Sequence, residues 1–277
     1  MLQERGSLGA DAREYLGNAK TEASVRKALR FLADTQTAEG TWGGGSYNSD
    51  VAITGLCALA FMSAGHQPDR GPFGQALRRA ADFLATRSQR TGLIIDPASN
   101  AGPPMYGHGF ATLAMAELYG MTRRADLRDK LEGAVALILK TQNSEGGWRY
   151  EPRVADADIS VVITQIMALR AAANAGIRVP RGTTGRAIEY VKRCSNNADG
   201  GFSYQPGNRG SGQARTGAGV LALIVMGQRN SEECRRGLEF LLTRIPGSKD
   251  GHIFYALYYT TQAMYQAGGK VLDLLVP

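Results

Sequence analysis

An all-α chain, built as a double ring of helical hairpins, is predicted by three observations. The segment Q-T-A-E-G-T-W from Gln36 to Trp42 returns as Q-N-S-E-G-G-W from Gln142 to Trp148, with weaker copies N-N-A-D-G-G-F from Asn196 to Phe202 and R-S-Q-R-T-G-L ending at Leu93. These landmarks fall at positions 42, 93, 148 and 202, a period of roughly 51 to 55 residues, which is the mark of a repeat architecture. Between them, amphipathic segments alternate with segments that are apolar on nearly every side, and no strand-like alternation intervenes.

The elements follow in chain order. Ala10 to Ala19 reads as a partial helix. The first outer helix places Val25, Ala28, Leu29, Leu32 and Ala33 at helical spacing, with Arg26, Lys27, Arg30 and Asp34 opposite. Its equivalents centre on Ala80 to Leu84, Ala134 to Ile138, Ile188 to Val191 and Leu238 to Leu242. Glycines then end each outer helix and turn the chain. The inner helices follow, at Val51 to Met62, Phe110 to Leu118, Ile159 to Ala173, Thr216 to Met226 and Phe254 to Ala267, and their apolar character on all sides places them inside. The result is one domain, 1–277, of five outer–inner pairs at about 22–65, 71–120, 126–178, 183–228 and 231–269. Polar outer helices surround the apolar inner ones. The tail V-L-D-L-L-V-P and the N-terminal stretch are the pieces available to complete the ring.

Composition narrows the function. The chain has 277 residues, 43% of them hydrophobic and 21% charged, as in an ordinary soluble domain. It contains no apolar run of about 18 residues or more, so no membrane span is expected, and contact with a membrane would be peripheral. The opening M-L-Q-E-R-G-S-L-G-A-D lacks the layout of a secretory leader, so a cytoplasmic chain is expected unless the sequence is trimmed after one. Cys57, Cys194 and Cys234 form no C-x-x-C pair and read as reduced thiols. Neither they nor the three histidines have metal-ligand spacing, so no metal or other cofactor is expected. The net charge of +7 favours anionic partners such as diphosphates or acidic lipids. The basic residues are scattered over polar helix faces, however, with no basic arm, and nucleic acid is not expected as a partner.

A Q-x-x-x-G-x-W segment joining an outer to an inner helix, repeated from about Glu22 to Gly269, resembles the repeat of squalene and oxidosqualene cyclases and of protein prenyltransferase β subunits. The resemblance implies an α/α toroid in which Gln36, Trp42, Gln142 and Trp148 tie neighbouring outer helices together. The cyclases carry D-x-D-D at an inner-helix entrance, where the middle Asp protonates the substrate. Asp156 and Asp158 match the first two carboxylates here, and Ile159 stands at the last. The resemblance therefore implies acid catalysis by Asp158, with Asp156 beside it. Burial near a second carboxylate would raise the acid's pKa. The residue-level alternative is that one of these carboxylates caps the next helix. The prenyltransferases hold zinc with Asp, Cys and His, and the matching stretches at Ser211 to Arg215 and Phe254 to Tyr259 contain no such ligand, so protein prenylation is not expected.

The inner-helix entrances bring candidate ligand-binding residues to one mouth: Asp50, Tyr47, Tyr106, His108, Tyr204, Arg215, Tyr255, Tyr258 and Tyr259. Tyrosines suit the wall of a hydrocarbon pocket and stabilise cations with their ring faces. Each residue has a plainer reading. Asp50 is an N-cap candidate, His108 a hydrogen-bonded structural histidine, Arg215 half of an ion pair, and the tyrosine group core packing. The expected function is binding of a polyprenyl or triterpenoid molecule in the central cavity, with residual class II cyclase chemistry if the chain is an enzyme. The alternatives are a non-catalytic toroid that docks a protein or peptide and, less favoured, a carbohydrate-active α/α barrel in which Asp50 and Asp158 face each other.

Overall fold

The computed structural model describes residues 18–99, 102–244 and 252–268. These form ten α-helices and no strands. We number them α1 (Ala19–Thr35), α2 (Val51–Ser63), α3 (Gly74–Thr86), α4 (Pro104–Thr122), α5 (Ala125–Thr141), α6 (Ile159–Asn174), α7 (Arg181–Arg193), α8 (Gln213–Val225), α9 (Glu232–Leu242) and α10 (Ile253–Ala267). The expected terminal pieces lie outside the described residues, except that Ala19 opens α1. Within the described residues no helix is long and apolar enough to cross a membrane. The chain divides into two compact units, Lys27–Ala187 and Ile188–Pro277 with Met1–Arg26.

In the first unit α2 packs on α4 and α4 on α6, forming an inner row, with α3 and α5 against its outer side. The core follows the sequence pattern. On α3 one face buries Leu77, Ala80, Ala81 and Leu84, whereas on α4 and α6 buried residues occupy most of the surface. Helix α1 departs from expectation: of its apolar face only Leu29 is buried, and Val25 is 44% exposed. In the second unit α8 packs on both α9 and α10.

The repeated motif is built the same way each time it is intact. Gln142 lies just beyond α5, and its Nε2 donates to the carbonyls of Gly146 and Thr183, both at 2.9 Å. Arg186 Nη2 donates to its Oε1 at 2.5 Å, and Trp148 Nε1 donates back to Ile138 O at 2.7 Å. Gln36 repeats the set with Gly40, Ala76 and Arg79, as Trp42 does with Leu32. The amide thus ties its own turn to the next outer helix, and the buried indole ties that turn to the preceding one. Gly146 has φ +96°, and a Cβ there would stand 2.1 Å from Arg186 O, so the turn accepts only glycine. Gly40 against Arg79, Gly92 against Gly133 and Gly200 against Arg236 make the same approach.

The degraded copies keep that geometry and substitute the indole. Phe202 and Ile94, both fully buried, take the Trp position two residues beyond the glycine. The apolar landmark of the second copy is therefore Ile94, one residue later than the expected Leu93, which is only half-buried.

Candidate functional site

Two of the predicted acids begin inner helices. Asp50 is the N-cap of α2, and its Oδ1 accepts from Ile53 N at 2.8 Å. Asp158 caps α6, accepting from Ser160 N at 2.9 Å and Val161 N at 3.3 Å. Each such cap contributes about 1 kcal/mol to its helix. The capping reading of these aspartates is therefore realised, and it leaves the second oxygen of each carboxylate for other partners.

Asp158 is 0% exposed. Its Oδ2 faces Arg149 Nη1 at 3.4 Å, and its Oδ1 takes a short hydrogen bond from Ser160 Oγ, which is itself hydrogen-bonded to Tyr106 Oη. Burial pushes its pKa up, partly opposed by these hydrogen bonds and by the Arg149 charge. The sequence argument attributed part of such a rise to a second carboxylate. The structure supplies a guanidinium instead: Asp156 is turned outward, 63% exposed, with its Oδ2 3.5 Å from Arg149 Nη1. Arg149 also stacks over Tyr150, 4.5 Å from the ring centroid. Tyr106 is driven to a higher pKa by burial and stays a neutral phenol.

A cavity of about 350 Å³ opens at the entrances of α2 and α4. Its lining is apolar at Val51, Ile53, Ile95, Pro103, Pro104 and Phe110 and polar at Tyr47, Asp50, Asp96, Ser99 and Tyr106. Asp50 Oδ2 accepts from Ser99 Oγ at 3.4 Å, and burial raises its pKa, with the Asp96 charge adding to the rise. Asp96 is equally buried, is held by Arg87 Nε at 3.0 Å and accepts from Ala98 N at 2.9 Å.

Three predicted residues, Tyr47, Asp50 and Tyr106, therefore line one cavity, and Asp158 reaches it only through Ser160 and Tyr106. His108 does not line it. It is fully buried on α4, its Nδ1 accepts from Ile94 N at 3.2 Å, and burial lowers its pKa to about 4, so it is a neutral structural imidazole. The inner helix expected from Phe110 begins earlier, at Pro104, and so includes His108. Gly109 is helical because a Cβ would stand 2.6 Å from Thr164 Oγ1 of α6.

The remaining predicted residues belong to the second unit. Tyr204 is half-buried in the loop before α8. Arg215 reaches the Gly210 carbonyl at 3.4 Å rather than a carboxylate. On α10, Tyr255 and Tyr258 flank Tyr259 with ring centroids 4.6 and 4.9 Å away, and Tyr259 is buried.

Sequence reasoning missed Asp96, Arg149 and Ser160. Arg149 directly follows the motif Trp and precedes the D-x-D pair, and Ser160 stands two residues beyond Asp158, so both were within reach of the motif. Asp96 follows the buried Ile94 and the half-buried Ile95 in a loop, and nothing in the local pattern signals its burial.

Comparison with known proteins places this geometry. The profile of the prenyltransferase alpha-alpha toroid domain matches residues 20–252. No curated protein sequence matches the chain. Among solved structures, the chain is similar to the type II terpene cyclase MstE from Scytonema, with a TM-score of 0.63 at 16% identity over 95% of this chain and 85% of that one. A variant of MstE in complex with geranylgeranyl dihydroxybenzoate gives a TM-score of 0.56 at 17% identity over 83% of this chain, which there spans 64% of the cyclase chain. The GH76 alpha-mannanase of Bacteroides thetaiotaomicron gives 0.60 at 12% identity, covering 92% and 80% of the two chains. Cellobiose 2-epimerase from Bacillus thermoamylovorans gives 0.59 at 13% identity, covering 87% and 74%. At these identities the likeness is one of fold.

Proposed function

We propose, for a chain that belongs to the prenyltransferase alpha-alpha toroid family, that the cavity between α2 and α4 binds an isoprenoid chain and that Asp158 supplies the proton for an acid-initiated cyclisation. The observation that carries this reading is the hydrogen-bonded run from Asp158 through Ser160 to Tyr106, which links the remnant of the cyclase acid motif to a phenol on the cavity wall. With Asp158 protonated and its hydrogen bond to Ser160 reversed from the resting direction, the carboxyl proton passes to Ser160 Oγ, Ser160 passes its own to Tyr106 Oη, and the phenol proton goes to a terminal alkene carbon. The alkene π pair forms the new C–H bond and leaves a tertiary carbocation, while Asp158 is left as a carboxylate facing Arg149. The rings of Tyr106, Tyr47 and Phe110 on the cavity wall lower the energy of that cation. The cyclised cation is discharged by loss of a proton to water at the cavity mouth, and proton exchange with water through Tyr106 and Ser160 restores the Asp158 acid.

Cavity size speaks for a short chain. A volume of about 350 Å³ lies at the small end of the range of roughly 300–1,000 Å³ for ligand pockets. This suits geranyl or farnesyl units better than the triterpenes considered from sequence. The largely aliphatic wall favours this reading over a glycan ligand.

The test is turnover of geraniol and farnesol, followed by gas chromatography. Asp158→Asn keeps the α6 cap, because Asn caps as well as Asp, but removes the proton. It is expected to lower turnover by about 10²-fold or more while binding changes little. Tyr106→Phe, which breaks the run at its last member, is expected to do the same. Turnover unchanged in both variants removes Asp158 from the chemistry. A wild-type protein that binds farnesol without converting it supports the non-catalytic reading.

A further inference from the structure

The cavity carries information about the polar end of its ligand, and this inference rests on the reading above. No lysine, arginine or histidine is among its lining residues, whereas two buried aspartates are. Arg87, the cation nearest Asp96, is already engaged by Asp96 at 3.0 Å and Glu39 at 3.8 Å and sits over the Phe83 ring. Helix N-termini commonly attract anions through free N–H groups, but both entrances here are closed to one. That of α2 is occupied by the Asp50 carboxylate. That of α4 starts with Pro104, which has no N–H, and the next N–H, of Met105, is taken by the Tyr150 carbonyl at 3.0 Å. Asp50 Oδ2, in contrast, accepts from Ser99 Oγ at a long 3.4 Å and lines the cavity, where it retains acceptor capacity.

We infer that this cavity selects an isoprenoid whose polar end is an uncharged hydrogen-bond donor, an alcohol or a phenol, received by Asp50, and that it rejects the corresponding diphosphate. A diphosphate would bring several negative charges against two carboxylates in a low-dielectric wall, with no cation to receive them. An alcohol donates its O–H to Asp50 and leaves no charge unpaired. The net positive charge of the chain does not counter this, because none of the described residues that line the cavity carries it.

Calorimetric titration of the full chain with farnesol and with farnesyl diphosphate, in magnesium-free buffer, decides the matter. Farnesol is expected to bind at least tenfold tighter than farnesyl diphosphate. Asp50→Asn, which preserves the helix cap, should narrow that ratio by about tenfold. Ser99→Lys, a loop substitution beside Asp50, should narrow it by raising affinity for the diphosphate. Equal or tighter binding of the diphosphate by the native chain overturns this inference and leaves the isoprenoid reading standing. Failure of both probes to bind overturns the two together.

Discussion

At the residue scale the account turns on carboxylates and one imidazole whose charges are set by burial. His108 is held neutral by burial, with its Nδ1 accepting from Ile94 N, and its pKa falls to about 4 against 6.5 for an unperturbed histidine. The unfolded chain therefore binds a proton that the folded chain refuses. The stability this group contributes is present above pH 6.5 and is lost as pH falls towards 4. Between pH 7 and pH 5 the loss is about 2 kcal/mol. Urea unfolding at the two pH values is expected to show that loss in the native chain. His108→Gln, which keeps an acceptor for Ile94 N but does not titrate, should lose about 2 kcal/mol less, and equal losses contradict the assignment. Sequence showed that Asp50 and Asp158 precede apolar helices, which is enough to expect caps. It could not show that Asp158 is buried against Arg149, or that Asp96 shares a cavity with Asp50, because both depend on loops folding back over helix ends.

At the element scale the repeated turn is the structural unit, and it was the most legible feature of the sequence. Gln, Gly and Trp at fixed spacing each have one job, and the same hydrogen-bond set recurs at Gln36 and Gln142. Gly146→Ala should destabilise the chain by about 3 kcal/mol or more, since it combines a positive φ with a clash against the Arg186 carbonyl. Gly185, inside α7 and exposed with open space around it, predicts the opposite sign. Its replacement by Ala should stabilise by about 0.5–1 kcal/mol. Thermal or urea unfolding of the two variants separates the roles, and destabilisation by both would contradict the distinction. The start of α4 was not legible, since Gly107 and Gly109 look like loop residues until their contacts across helices are known. Gly109 meets Thr164 on α6 and Gly107 meets Val51 on α2. Glycine in a helix that others approach closely reads, in sequence, like glycine in a turn.

At the scale of the whole molecule, the expected all-α toroid fold is the fold of the family to which the chain belongs. The helical period alone was enough for that inference, because every pair must bury an inner helix that is apolar all round. Function was less legible for a physical reason. Toroids of this kind include cyclases, a mannanase and an epimerase at nearly equal structural likeness, and what separates them is the lining of a cavity set by loop residues far apart in sequence. Here that lining combines aliphatic and aromatic side chains with two aspartates and two tyrosines. The most direct measurement is photo-crosslinking with a diazirine-bearing farnesol analogue, mapped by peptide mass spectrometry with and without excess farnesol. Farnesol-protectable labelling is expected to be confined to the peptides that carry Tyr47 to Ile53, Ile95 to Ser99 and Pro103 to Phe110. Labelling elsewhere, for example around the exposed Phe254 and Tyr265 of α10, or labelling that excess farnesol does not suppress, would contradict it.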